Sequence, residues 1–132
     1  MLRTLIVEDN ANFRNTFKDA LGKRFPSMVL DVAVNGAEAM EKVKTFHPDV
    51  IFMDIRLPDK SGLELTTEIK SEYPQPFIII LTQYDLPEYR EAARIGLADA
   101  FLTKSALNLA TIDELIKRIP KNIHRKVAKI AK

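Results

Sequence analysis

Four apolar runs in this 132-residue chain each end on polar residues that can do chemistry. Glu8 and Asp9 follow LIV, Asp54 follows VIFM, Thr82 closes FIIILT and Lys104 follows AFLT. Each run reads as a buried strand. In an open parallel α/β sheet the C-terminal strand ends lie side by side and form the ligand crevice. Three carboxylates, one hydroxyl and one ammonium are therefore expected in one shallow site. Crowded carboxylates repel each other unless a cation or a proton compensates them. Oxygen ligands around a crevice suit a hard cation such as Mg2+. The lysine and the threonine hydroxyl point to a phosphoryl group beside that metal.

The elements that must position these residues alternate. The strand candidates are LRTLIV, VLDVAV, DVIFM, FIIIL and AFLT, and segments with helical spacing separate them. Phe13, Phe17 and Leu21 give the first helix an apolar stripe, and Ala39, Met40, Val43 and Phe46 do so for the second. Leu65 and Ile69 anchor the third helix. Tyr89, Ala92 and Ala93, with a stop at Gly96, mark the fourth, and Leu115, Ile116 and Ile119 the fifth. Asn35, Ser61 and Thr111 each precede a glutamate by three residues (Glu38, Glu64 and Glu114), the spacing of a capping box. Asp85 with Pro87 and Glu88 gives a similar start signal for the fourth helix. Strands alternating with helices over short loops imply βαβ units and a parallel sheet.

The length fits one domain, with residues 1–120 expected as the globular unit and 121–132 as a basic helical tail or the start of a linker. The absence of cysteine excludes disulfides, thiolate catalysis and Cys-based zinc sites. No apolar stretch approaches the roughly 20 residues of a membrane span. The opening MLRTLIVEDN lacks a signal-peptide layout, so a cytoplasmic protein is expected. Residues 113–132 hold seven basic and two acidic residues, which leaves the rest of this +2 chain mildly acidic. A basic tail can bind nucleic acid or an acidic surface, but a solvated helix face or linker is the commoner meaning. The apolar spacing of Ile116, Ile119, Ile123, Val127 and Ile130 suggests helix continuing past Pro120.

Singly, each polar residue has an ordinary role as loop acid, turn opener, strand end or surface lysine. Together, and in order, LIVEDN, VIFMDIRLPDKSGLEL, FIIILTQYD and ADAFLTKS closely resemble the motifs of response-regulator receiver domains, from about Leu2 to Ile119. The segment GLADAFLTKSA looks most like receivers that carry a helix-turn-helix DNA-binding output domain. The resemblance implies a flavodoxin-like, doubly wound five-stranded parallel sheet, strand order 2-1-3-4-5, with five flanking helices. It implies that Asp54 is the phosphoacceptor and that Asp9, Asp54 and the backbone carbonyl of Arg56 hold Mg2+, with Glu8 acting mostly through water. Lys104 pairs with the phosphate, the Thr82 hydroxyl moves to it, and the rotamer of Phe101 follows the threonine. A sensor histidine kinase is the implied donor. Phosphorylation is expected to change the face made by the fourth helix, fifth strand and fifth helix and to promote a homodimer. DNA would be reached only through an output domain outside this chain.

Two positions depart from the family pattern. Gln83 stands where receivers usually have a small residue, which crowds or reshapes phosphate access. Arg56 and Tyr84 flank the path of an attacking water, so with Gln83 they are expected to tune phosphoryl lifetime. Ser105 replaces the usual proline after the lysine. A non-proline cis bond costs about 2.5–4 kcal/mol, so the Lys104–Ser105 bond is expected trans, or cis under strain held by the site. Two other classes compete. A Mg2+-dependent phosphatase would need an acid-base aspartate where Arg56 stands, and longer loops for a substrate cap. A pseudo-receiver serving only as a binding module, or a stand-alone receiver acting by protein contact, is the other; pseudo-receivers usually lose acidic residues, and none is missing here.

Overall fold

The structure, a computed structural model, describes residues 2–119. The expected basic tail and the helical continuation through Ile123, Val127 and Ile130 lie outside the described residues. The order is β1 Arg3–Val7, α1 Ala11–Arg24, β2 Val29–Ala33, α2 Gly36–Phe46, β3 Val50–Met53, α3 Gly62–Glu72, β4 Phe77–Thr82, α4 Pro87–Ile95, β5 Ala100–Thr103 and α5 Leu109–Arg118, with a short 3-10 turn over Lys104–Ala106. The five strands pair in parallel in the order β2-β1-β3-β4-β5, the sheet expected from the sequence.

Continuous apolar strands are buried on both faces, and alternate residues sort into two cores. Leu5, Val7, Ile51, Met53, Ile78 and Ile80 pack with Leu65 and Ile69 of α3, Val43 of α2 and Ala93 of α4. Ile6, Phe52, Ile79 and Leu81 pack with Phe17 and Leu21 of α1 and with Ile112 and Leu115 of α5. The register aligns Val7 with Met53 and Met53 with Ile80, so Glu8 and Asp54 leave neighbouring strands at the same level. Phe101 pairs with Ile80 and Thr103 with Thr82, which brings Lys104 to the same edge.

The helix starts agree with the sequence in part. Asn35 caps α2 by accepting the amide of Glu38, and Ser61 caps α3 through the amide of Leu63. Glu38 reaches back to the Val34 amide, one residue beyond the capping-box partner. The cap of α5 is Asn108, which accepts from the Thr111 amide; Thr111 already lies inside the helix. Asp85 does not cap α4. Its carboxylate is taken by Arg90, and Leu86 opens the helix with no side-chain cap, while Pro87 supplies the preset first turn. An arginine five residues on competes for the same oxygens, a partnership that spacing alone does not reveal. Gly96 ends α4 as expected, yet the left-handed residue there is Leu97, with φ of 68°.

The β3–α3 loop is held tightly. The Gly62 amide donates to the Ile55 carbonyl, and Arg56 and Ser61 form an antiparallel bridge. A Cβ on Gly62 would lie 1.9 Å from the Asp54 carbonyl oxygen, so only glycine lets α3 start this close to the end of β3. Asp59 of the same loop accepts the Gly36 and Ala37 amides and thereby ties the loop to the start of α2. Gly62→Ala is expected to lower stability by about 2–3 kcal/mol in urea unfolding, because the obstacle is backbone and not a movable side chain. A near-neutral variant would mean that the loop has slack.

Candidate functional site

The strand ends open into a cavity of about 240 Å³ lined by Glu8, Asp9, Asn10, Asp54, Arg56, Gln83, Tyr84 and Lys104. Seven of these eight are residues singled out from the sequence; Asn10 is the addition. Thr82 and Phe101 do not line it. Thr82 is fully buried at the end of β4, and its hydroxyl accepts the Tyr84 amide at 3.3 Å. Phe101 is half-buried, packs in the core on the α4 side, and carries the Arg90 guanidinium over its ring at 4.6 Å. A larger groove of about 630 Å³ runs beside α1, lined by Thr16, Asp19, Ala20, Lys23, Arg24 and Leu109. It has no convergent set of reactive groups, so size does not mark the chemistry here.

Glu8, Asp9 and Asp54 each offer an oxygen within 4.8 Å of the others'. Asp9 is exposed, while Glu8 and Asp54 are 2% and 7% exposed. Burial, and then repulsion from Glu8, pushes the Asp54 carboxyl up to about 7; Lys104 offsets only part of this. Lys104 is nearer to Glu8, at 2.7 Å, than to Asp54, at 3.6 Å. The second Glu8 oxygen accepts the Asn10 amide. Glu8 is thus a pinned buried partner of the lysine in this state as well as a member of the acidic cluster.

Two residues of α1 that sequence reasoning left out of the site touch the residues that line it. Arg14 donates to the carbonyls of Glu8 and Asp9, at 3.0 and 3.4 Å, and holds the loop that presents both carboxylates. Phe13 lies under the Lys104 ammonium, 4.3 Å from ring centroid to Nζ. The apolar stripe that includes Phe13 is legible, but its contact with a lysine ninety-one residues later is a product of the fold.

Across the mouth, the Arg56 guanidinium stacks on Tyr84 at 3.7 Å and reaches the Tyr89 side chain on α4. Gln83 lies beside them in the lining. The Lys104–Ser105 bond is trans, and the Ser105 hydroxyl sits 3.2 Å from that of Thr103. On and beside the α4 and α5 surfaces Arg90 pairs with Asp85, Arg94 with Glu91, and Lys117 with Glu114.

The raised Asp54 carboxyl has a sign that can be tested. In the absence of metal, the folded chain keeps this proton up to about pH 7, whereas an unfolded aspartate loses it near 3.8. The folded state therefore binds more protons in that window, and the group's contribution to stability, full below 3.8, is lost as pH rises toward 7. Asp54→Asn stays neutral. In EDTA its advantage in melting temperature over the parent chain is expected to grow from about pH 4 to about pH 7.5. A constant difference would show that Asp54 titrates as an ordinary carboxyl.

The family model for the response regulator receiver domain matches residues 4–119. A protein-glutamate methylesterase/protein-glutamine glutaminase from Methanosarcina acetivorans is 37% identical over 129 residues, and one from Carboxydothermus hydrogenoformans is 36% identical over 133. These alignments cover 93% and 99% of this chain but 36% of each relative, so the chain spans about a third of their length. Among solved structures, the response regulator TrrA from Thermotoga maritima, in complex with Mg(2+)-BeF, superposes with a TM-score of 0.79 at 32% identity, covering 91% of this chain and all of that one. A CheY-like receiver domain protein from Methanospirillum hungatei gives 0.83 at 25% identity, covering 96% and 98%. With the five-stranded order, the acidic cluster and the strand-end lysine already in place, the chain belongs to the response-regulator receiver domain family.

Proposed function

We propose that this chain is a phosphorylation-controlled switch of the cytoplasm, which takes a phosphoryl group from a histidine kinase onto Asp54. The observation that carries this reading is the placing of Asp54: a buried carboxyl at the end of the central strand, beside both the Glu8–Asp9 pair and the Lys104 ammonium. The acidic cluster fits Mg2+, because three hard oxygen donors lie within one ion's reach and one of them is protonated up to about pH 7 without a cation. Asp9, Asp54 and the Arg56 carbonyl would hold it, with Glu8 in support. When bound, the metal offsets the repulsion between a carboxylate nucleophile and an anionic phosphoryl group.

The chain's own residues do the rest. An Asp54 oxygen forms the new bond to phosphorus as the bond from phosphorus to the kinase histidine nitrogen breaks. Lys104 leaves Glu8 for the new anion. The Thr82 hydroxyl exchanges the Tyr84 amide for a phosphoryl oxygen, and Phe101 turns toward the vacated space, which breaks its stack with Arg90. Arg56, Gln83 and Tyr84 screen the path of water and set how long the phosphoryl group lasts. The change shifts a pre-existing equilibrium of the α4–β5–α5 face, and the phosphoryl group supplies the differential stabilisation. The chain's chemistry is limited to gaining and losing this group. Among the described residues no helix is long and apolar enough to cross a membrane.

Two outputs are compatible with this switch. The segment GLADAFLTKSA and a solved LuxR-family DNA-binding response regulator from Staphylococcus aureus, 25% identical, support transcription control through a DNA-binding domain. The methylesterase relatives, at 36–37% identity, support an enzymatic output domain, and we favour it on the higher identity. A phosphatase reading lacks the acid-base aspartate, since Arg56 occupies that position and is turned to Tyr84.

Incubation with Mg2+ and acetyl phosphate is expected to add one acid-labile phosphate by intact mass. Asp54→Asn abolishes it, and Asp9→Ala or omission of Mg2+ slows it by at least about ten-fold, the loss of one strong charge-stabilising contact. Equal labelling of Asp54→Asn would remove Asp54 from the mechanism. Light scattering with beryllofluoride tests the face: a rise toward dimer mass is expected, reduced in Thr82→Ala. A monomer across a broad concentration range would assign the face to another protein.

A further inference from the structure

We propose that Phe13 is a positioning residue for Lys104, its ring face steering the ammonium to the mouth of the phosphoacceptor site. The inference rests on Asp54 accepting the phosphoryl group, and its own content is the role of an aromatic ring on α1. Phe13 continues the stripe of Phe17 and Leu21, but those two are buried and Phe13 is only half-buried. An aliphatic side chain would complete that stripe equally well. What the ring adds is its contact with Nζ at 4.3 Å.

The ring is held from below. Phe13 stacks on Phe17 at 5.6 Å, and Phe17 meets Phe52 edge-on at 4.9 Å, so the ladder runs from the strand that ends at Asp54 up to the lysine. Lys104 directly follows β5, at the start of the 3-10 turn, and its side chain is 17% exposed, with little water to hydrate the ammonium. Two carboxylates and the negative face of one ring share that charge. Glu8 alone would draw the ammonium away from Asp54. The ring offers a nondirectional contact that persists while Nζ exchanges Glu8 for a phosphoryl oxygen, because it does not compete for the same donor hydrogens. Phe13 thus keeps the lysine charge close during the transfer without touching the reacting atoms.

The test separates quadrupole from shape. Phenylalanine at position 13 is replaced site-specifically by its mono-, di- and trifluorinated forms, which keep its shape and progressively weaken the π face. The phosphorylation rate with acetyl phosphate and Mg2+, and the apparent affinity for beryllofluoride, are expected to fall stepwise to about three- to ten-fold below the parent chain, the range for a largely desolvated cation–π contact. Independently of phosphorylation, the Lys104 ε-methylene protons are expected upfield of ordinary lysine by ring current, and to return to the ordinary position in Phe13→Leu. A flat or rising rate along the series, in a parent chain that labels normally, overturns the role of Phe13 alone. An ε-methylene resonance indifferent to Phe13→Leu also overturns it. A parent chain that takes no label overturns both this inference and the assignment of Asp54.

Discussion

Two carboxyl groups buried side by side, Glu8 and Asp54, are the constraint around which the molecule is organised. Removing a carboxylate from water is costly unless a charge or hydrogen bonds replace the solvent, and two together repel as well. Several neighbours answer that problem. Lys104 neutralises Glu8, the Asn10 amide takes its other oxygen, and Arg14 fixes the carbonyls of the loop that presents them. Asp54 is left incompletely compensated and holds a proton up to about pH 7. An unsatisfied site of this kind responds strongly to a cation or to a change of charge, which is what a switch requires.

The response is carried by backbone that has little freedom. Gly62 starts α3 against the Asp54 carbonyl, and Asp59 ties the same loop to α2, so Asp54 is held in place. α4 is the contrast. Its first turn has no side-chain cap; Ala93 packs in the core, and two arginine contacts tie the helix to its surroundings, Arg56 to Tyr89 and Arg90 over Phe101. A cation–π contact at a partly exposed position is worth about 0.5–1 kcal/mol. Asp54 thus sits on tightly held backbone beside a helix whose first turn lacks a side-chain cap.

Most of the fold was legible because its signals are local. Apolar runs such as FIIILT and VIFM, four-residue stripes such as Phe13–Phe17–Leu21, and caps such as Asn35 and Ser61 depend on neighbours a few positions away. The errors came where two local signals competed. Thr111 has the capping-box spacing, but Asn108 three residues earlier takes the cap; Asp85 looks like a cap, but Arg90 claims its carboxylate.

The sequence by itself determined which groups meet. A parallel sheet brings its C-terminal strand ends together, so a polar residue after each apolar run must arrive at one edge, and seven of the nine named residues line a single cavity. Only the tertiary structure decided how those groups share their charge. Whether Lys104 pairs with Glu8 or Asp54, and whether a ring from α1 or a water faces its ammonium, turns on differences of about an ångström between distant segments. Strand and helix periodicities specify which face a residue takes, whereas Coulomb and cation–π energies depend on separation and burial, which only the packed chain defines.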